Sequence, residues 1–224
     1  MAFAPRFIDG KVFGQDLGKI VCVGRNYARH ARELGNEVPT SPILFIKPAS
    51  SAVDLSKPID PVRTADGVHY EAELALLIGK RVSRVSRVSP ATACEAIVGM
   101  GLALDLTHRD VQSELKAKGH PWERAKGFDG ACPLTPFVPV KGRFIDWSDL
   151  RFSFDINGEL CQRGHTAQML FPVDRLLSEI SHSFTLEPGD VVLTGTPEGV
   201  GRLPRGARLT LAIDDWLFLD TSSA

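Results

Sequence analysis

Short apolar runs, broken by glycine and proline, confine this chain to a β-rich fold. Lys19–Val23, Ile43–Ile46, Val98–Leu106, Val191–Leu193 and Arg208–Ile213 each have the length and character of a strand. Val68–Ile78 reads as one longer strand. Leu150–Ile156 and Glu159–Arg163 flank Asn157-Gly158, a dipeptide suited to a tight hairpin because both residues tolerate positive φ. Helical signals are fewer and shorter. Asn26 stands where it could cap a helix reaching about Leu34, with Gly35 as the stop. Ser89-Pro90 opens a short helix with proline at the first position. Thr107 stands as cap for another, running to about Lys118 with Asp110 in the capping-box position. Pro172–Ser183 fits a further helix. The expected fold class is mixed, mainly β with short helices.

The chain has 224 residues, 43% of them hydrophobic, which is ample for a full core. It carries no repeat and no low-complexity linker. We therefore expect one catalytic domain over residues 19–224, preceded by a short N-terminal extension over residues 1–18. Lys and Arg total 26 against 27 Asp and Glu, a net charge of −1. That balance gives no reason to expect nucleic acid or an anionic membrane as partner. No apolar run approaches the roughly 20 residues of a membrane span, and the N-terminus lacks a secretory pattern. Cys22, Cys94, Cys132 and Cys161 show no CxxC spacing and read as reduced thiols, which fits a reducing compartment, and a cytoplasmic location is expected.

The stretch HYEAELALLIGK concentrates the chemistry. On a strand, His69, Glu71, Glu73, Ala75 and Leu77 share one face. Glu71 and Glu73 then lie roughly 7 Å apart at their Cα atoms, close enough to converge on one ion. A bare Glu-x-Glu is more often a solvated strand face. Here the same face turns apolar at Ala75 and Leu77, so it is covered, and a buried carboxylate needs a partner. Asp105 follows an almost purely apolar strand. Three acids brought together repel one another unless a cation neutralises them. All-oxygen ligation points to Mg2+ or Mn2+ rather than zinc. Spacing alone does not establish that the three meet.

Other polar residues sit at suggestive intervals. His30 and Glu33 face the same way on the first helix. Such a pair suits a water-activating base, although an ordinary surface pair is the commoner reason for that spacing. Arg109 and Gln112 lie one helical turn apart, as a carboxylate grip or as a solvated face. Lys126 is a substrate-binding cation or a surface lysine. TGTPEGVG, Thr194–Gly201, lacks Walker and dinucleotide-binding spacing. It suits a loop that offers backbone N–H groups and the Thr196 hydroxyl to an anion, or a plain turn.

The stretches VGRNYARHARELG, PILFIKP, HYEAELALLIGK, ALDLTHRDVQ, WERAKGFDGACP, NGEL and LTGTPEGVG, in that order, resemble the fumarylacetoacetate hydrolase superfamily. The resemblance is closest to its small single-domain members, the acylpyruvases, and it weakens over LTLAIDDWLFLDTSSA. It implies that superfamily's β-roll, assembled as a homodimer. Residue by residue, it implies Glu71, Glu73 and Asp105 as ligands of Mg2+ or Mn2+. His30 and Glu33 become a water-activating dyad on a lid segment. Arg25, Arg109, Gln112 and Thr196 become substrate-binding residues, and Lys126 a catalytic one. The activity implied is hydrolysis of a 3-acylpyruvate or related β-diketo acid, such as fumarylpyruvate, to pyruvate and a carboxylic acid. The alternatives are oxaloacetate decarboxylation and isomerisation or decarboxylation of a hydroxy-muconate-type diacid.

Overall fold

The structure, a computed structural model, describes residues 3–60, 68–84 and 93–224. The strands in chain order are β1 (Ile20–Gly24), β2 (Ile43–Lys47), β3 (Ala52–Asp54), β4 (Val68–Tyr70), β5 (Ala72–Ile78), β6 (Ile97–Leu104) and β7 (Thr107–His108). They continue as β8 (Cys132–Leu134), β9 (Val138–Pro139), β10 (Arg151–Ile156), β11 (Glu159–His165), β12 (Val191–Leu193), β13 (Gly201–Arg202), β14 (Arg208–Ile213) and β15 (Leu217–Ser222). The α-helices with both ends among the described residues are α1 (Ala28–Glu33), α2 (Arg109–Ala117), α3 (Glu123–Lys126) and α4 (Val173–Ser183). Strands dominate, as the short apolar runs require.

The main sheet runs β2-β1-β12-β5-β6-β8-β3, with β9 joined to β6. It is mixed: β1 pairs parallel with β12 and β3 with β8, while β5 pairs antiparallel with β6 and β12. Its two faces bury different clusters because successive side chains alternate. Ile20, Cys22, Ala75, Leu77, Ala103, Leu134, Val191 and Leu193 meet on the inside of the curl. Leu74, Leu76, Ile78, Leu102 and Leu104 face the other way. There they join α4, through Leu176, Leu177 and Ile180, and the β11-β10-β14-β15 sheet, through Phe152, Phe154, Leu209 and Leu211. Phe3, Phe7 and Phe13 pack against the inner cluster, and Phe7 bridges to Phe137.

Several elements follow the sequence closely. Asn157 and Gly158 take φ of 54° and 84° between β10 and β11, the turn their identity demands. Gly35 takes φ of 65° just past α1, where its N–H donates to the Arg32 carbonyl. The C-terminal stretch, where the resemblance is weakest, forms the β14–β15 hairpin.

Three expectations are corrected. Val68–Ile78 is two strands, not one. β4 belongs to a small β13-β4-β7 sheet, β5 to the main one, and the chain changes sheets at Glu71. There the Ala72 N–H leaves the ladder and donates to Gln162 Oε1 at 2.8 Å. Thr107 caps nothing. Its hydroxyl donates to the Asp105 carbonyl at 3.0 Å, its backbone pairs with β4, and α2 starts at Arg109 without a side-chain cap. Asn26 does not cap α1 either, because its amide is committed across the chain. It donates to the carbonyls of Phe171 at 3.0 Å and Thr194 at 2.8 Å, and accepts the Phe171 N–H at 2.8 Å. The helix anticipated at Ser89-Pro90 lies outside the described residues.

Candidate metal centre

The curl of the main sheet opens at one end onto three acids. Glu71 stands at the β4–β5 break, Glu73 one pleat further along β5, and Asp105 just past β6. Pairing of Ala72 with Leu104 and Glu73 with Ala103 brings the strand ends level. The Asp105 N–H donates to the Glu71 carbonyl at 2.8 Å. One carboxylate oxygen from each acid then lies within 4.8 Å of the others, and all three side chains are buried.

Their electrostatics are unequal. Burial pushes the Glu71 carboxyl up, but Lys126 and Arg109 outweigh it and hold it well below the ordinary carboxylate range. Lys126 Nζ donates to Glu71 Oε2 at 2.8 Å and Asp105 Oδ2 at 2.7 Å, and Arg109 pairs with Glu71 Oε1. Burial also pushes Glu73 up, and there Asp105 and Glu71 add to it, so its carboxyl sits well above the ordinary range. The Gly195 N–H, at 2.7 Å, opposes this only in part. Burial works against the Lys126 ammonium, yet Asp105 and Glu71 raise it above its ordinary value.

The residues fit a hard divalent cation. The donor set is all oxygen. Asp105 Oδ1 is buried with Lys47 Nζ at 2.7 Å, but no donor is aligned on it. Glu73 is a carboxylate short of positive charge. A cation held by Glu71, Glu73 and Asp105 answers both.

His30 and Glu33 also meet, within electrostatic reach of Glu71. His30 Nδ1 and Glu33 Oε2 are 3.4 Å apart. His30 is 4% exposed, and this burial lowers its pKa despite the opposing charges of Glu71 and Glu33. Glu33 Oε1 accepts the Gly199 N–H at 3.0 Å, and Arg29 pairs with Glu198 at 3.2 Å, so α1 is docked on the 196–201 loop. Arg109 donates to Gln112 Oε1 at 2.8 Å, and its buried Nε–H has no acceptor among the described residues.

Two sequence-predicted residues behave differently from the rest. The Thr196 hydroxyl donates to the Ala72 carbonyl at 2.9 Å and accepts from Gln162 Nε2 at 2.8 Å. Its proton is spent within the protein, and this loop's Gly195 N–H donates to the Glu73 carboxyl rather than to a free anion. Arg25 is half-buried in the β1–α1 turn with φ of 57°, a left-handed backbone uncommon for arginine. Among the described residues it makes no hydrogen bond or ion pair with the triad.

Sequence reasoning missed two buried residues here. Gln162 ties the β10–β11 hairpin to the strand break and to the Thr196 loop. Its signal was a polar side chain at an inward position of β11, beside Gly164. Lys47 ends the apolar strand ILFIK and is wholly buried against the triad, although in the sequence it only follows the apolar run Ile43–Ile46.

The fumarylacetoacetate hydrolase C-terminal domain model matches residues 19–217. An oxaloacetate tautomerase of Escherichia coli is 44% identical over 205 residues, covering 92% of each chain. A mitochondrial oxaloacetate decarboxylase of Dictyostelium discoideum is 45% identical over 190 residues, covering 84% of this chain and 85% of its own. The crystal structure of fumarylpyruvate hydrolase from Pseudomonas aeruginosa, in complex with Mn2+ and pyruvate, superposes with a TM-score of 0.88 at 34% identity, covering 100% of this chain and 96% of that one. A buried acidic triad at the mouth of a curled sheet, a matched model over most of the length and relatives of this closeness lead to one statement: the chain belongs to the fumarylacetoacetate hydrolase family.

Proposed function

We propose that this chain is a divalent-metal-dependent enzyme acting on oxaloacetate, which it interconverts between keto and enol forms by proton transfer at C3. The supporting observation is that two relatives, at 44% and 45% identity, are both named for oxaloacetate but for different reactions. Tautomerisation and decarboxylation of oxaloacetate share one requirement, stabilisation of negative charge on the C2 oxygen. Hydrolysis of 3-acylpyruvates, the first expectation from sequence, becomes the second reading. It is favoured by the likeness to fumarylpyruvate hydrolase and by a dyad able to activate water.

Bound at Glu71, Glu73 and Asp105, Mg2+ or Mn2+ would polarise the 2-keto oxygen as a Lewis acid. The rest falls to the side chains. Arg109, with its unused Nε–H, and Gln112 orient a substrate carboxylate. His30, held in place by Glu33, takes a proton from C3 on the way to the enol and delivers one to C3 on the way back, while the C2 oxygen gains or loses its own proton by exchange with solvent. Lys126 balances charge beside the triad. Gln162 fixes the Thr196 loop that closes the site wall. We retain the homodimer implied by the resemblance, and a reducing compartment for the four free cysteines. No helix among the described residues is long and apolar enough to cross a membrane.

A substrate panel with Mn2+ tests this reading. Enol-to-keto conversion of oxaloacetate should show the highest kcat/KM. Faster cleavage of a 3-acylpyruvate would transfer the assignment to hydrolysis.

The pH profile follows from His30. A base works only when neutral, and burial places this imidazole below the ordinary histidine value of about 6.5. The acid limb of kcat/KM should therefore have its midpoint below that value. Glu33→Gln removes one of the influences that raise His30, so its limb should move to still lower pH. A shift of the limb upward would contradict this account.

A further inference from the structure

We infer that Lys47 is a positioning residue for the metal centre. It pins Asp105 and the backbone that carries Lys126, and so sets the affinity of the triad for a divalent cation. The inference rests on reading the triad as a metal site.

Lys47 is 0% exposed, which is rare for lysine unless it is fully partnered. Four oxygens surround its Nζ. Three are backbone carbonyls: Leu106 at 3.3 Å, Ala131 at 3.0 Å, and Lys126. The fourth is Asp105 Oδ1 at 2.7 Å. A lysine ammonium has three N–H donors. The three carbonyls use all of them, which explains why Asp105 Oδ1 has a cation beside it and no aligned donor. That oxygen is steered by charge while its lone pairs stay open to a metal.

The carbonyls belong to separate stretches of chain. Leu106 directly follows the ligand Asp105, Lys126 ends α3, and Ala131 directly precedes β8. The Leu106 N–H also donates to the Ala131 carbonyl at 3.0 Å. Lys47, on the edge strand β2, is therefore the hub at which the Asp105 segment and the Lys126 segment are joined. Without it, the buried Leu106 and Lys126 carbonyls lose the Lys47 donor and the Ala131 carbonyl keeps only the Leu106 N–H, so the segments must shift to find others.

Two effects of removing Lys47 have opposite signs, which makes the role testable. As a mere neighbouring charge, Lys47 repels an incoming cation, so its loss would tighten binding. As a positioning residue, it holds a ligand in place, so its loss would weaken binding. Partners that orient metal ligands typically change affinity by about 10–100-fold.

The experiment is calorimetric titration of the full chain with Mn2+, in wild type, Lys47→Met and Lys47→Gln, with circular dichroism and thermal melts on each. Leu176→Ala, a core truncation in α4, serves as a destabilised control whose Mn2+ affinity should stay at the wild-type value. We expect Lys47→Met to fold and to bind Mn2+ about 10–100-fold more weakly. Affinity equal to or tighter than wild type would overturn the positioning role. If Lys47→Met does not fold, Lys47→Gln, which keeps a neutral donor for the carbonyls, is judged by the same criterion. A wild type that binds no Mn2+ would overturn the metal reading itself, and this role with it.

Discussion

Glu73→Gln is expected to abolish divalent-cation binding and to lower turnover of oxaloacetate by about three orders of magnitude, with the fold intact. Loss of a Lewis acid costs several kcal/mol of transition-state stabilisation. About 4 kcal/mol corresponds to roughly a thousandfold. Glutamine keeps the shape, and its carbonyl still accepts the Gly195 N–H. The sign of the stability change is the sharper test. Burial, Asp105 and Glu71 raise the Glu73 carboxyl above its unfolded value. Such a group contributes stability at acid pH that is lost as pH rises through its folded pKa. At neutral pH the ion-free wild type therefore carries a penalty that Glu73→Gln lacks. The ion-free variant should melt no lower than the ion-free wild type. Mn2+ at about a hundred times its Kd should stabilise the wild type by about 2.7 kcal/mol. For a chain of this size that raises Tm by about 5–10 °C. The variant should show no rise. Differential scanning calorimetry with and without Mn2+ reads both, and a variant stabilised as much as the wild type would remove Glu73 from the site.

His30→Ala should divide the two oxaloacetate reactions. Proton transfer at C3 needs a base, and loss of a general base typically costs about 10²–10⁴-fold. Decarboxylation needs only an electron sink at the C2 oxygen, so it should survive to a much larger degree in the same variant. Glu33→Gln should be a milder version, because the imidazole remains but loses a partner that orients it. The informative quantity is the ratio of the two rates in each variant, since active-enzyme concentration cancels. An equal fall in both would make His30 a part of the lid, docked through Glu33 on Gly199, rather than the base.

The site was legible in the sequence wherever a local pattern carried it. The alternation of a strand was enough to put Glu73 on the covered face of Ala75 and Leu77, and to turn Glu71 the same way although the strand breaks there. Asn157-Gly158 needed only its own backbone preference. What resisted reading depends on partners distant in sequence. Asn26 and Thr107 have capping chemistry, yet one is spent on Phe171 and Thr194 and the other on Asp105. The break at Glu71 is secured by Gln162, which accepts the Ala72 N–H from ninety residues along the chain. Lys47 looked like the polar end of an apolar strand, and its role exists only because Asp105, Lys126 and Ala131 are folded around it. The Thr196 hydroxyl suggested an anion site, but the Ala72 carbonyl and Gln162 already use it.

Enol-to-keto conversion of oxaloacetate, followed with and without chelator, tests the central claim most directly. Free Mn2+ has catalysis of its own, so Glu73→Gln at the same free Mn2+ supplies the background. The account predicts a rate above that background proportional to the concentration of Mn2+-loaded wild type, falling to the rate of chelated Glu73→Gln when the ion is removed. Chelated wild type that converts oxaloacetate as fast as the loaded enzyme would contradict it.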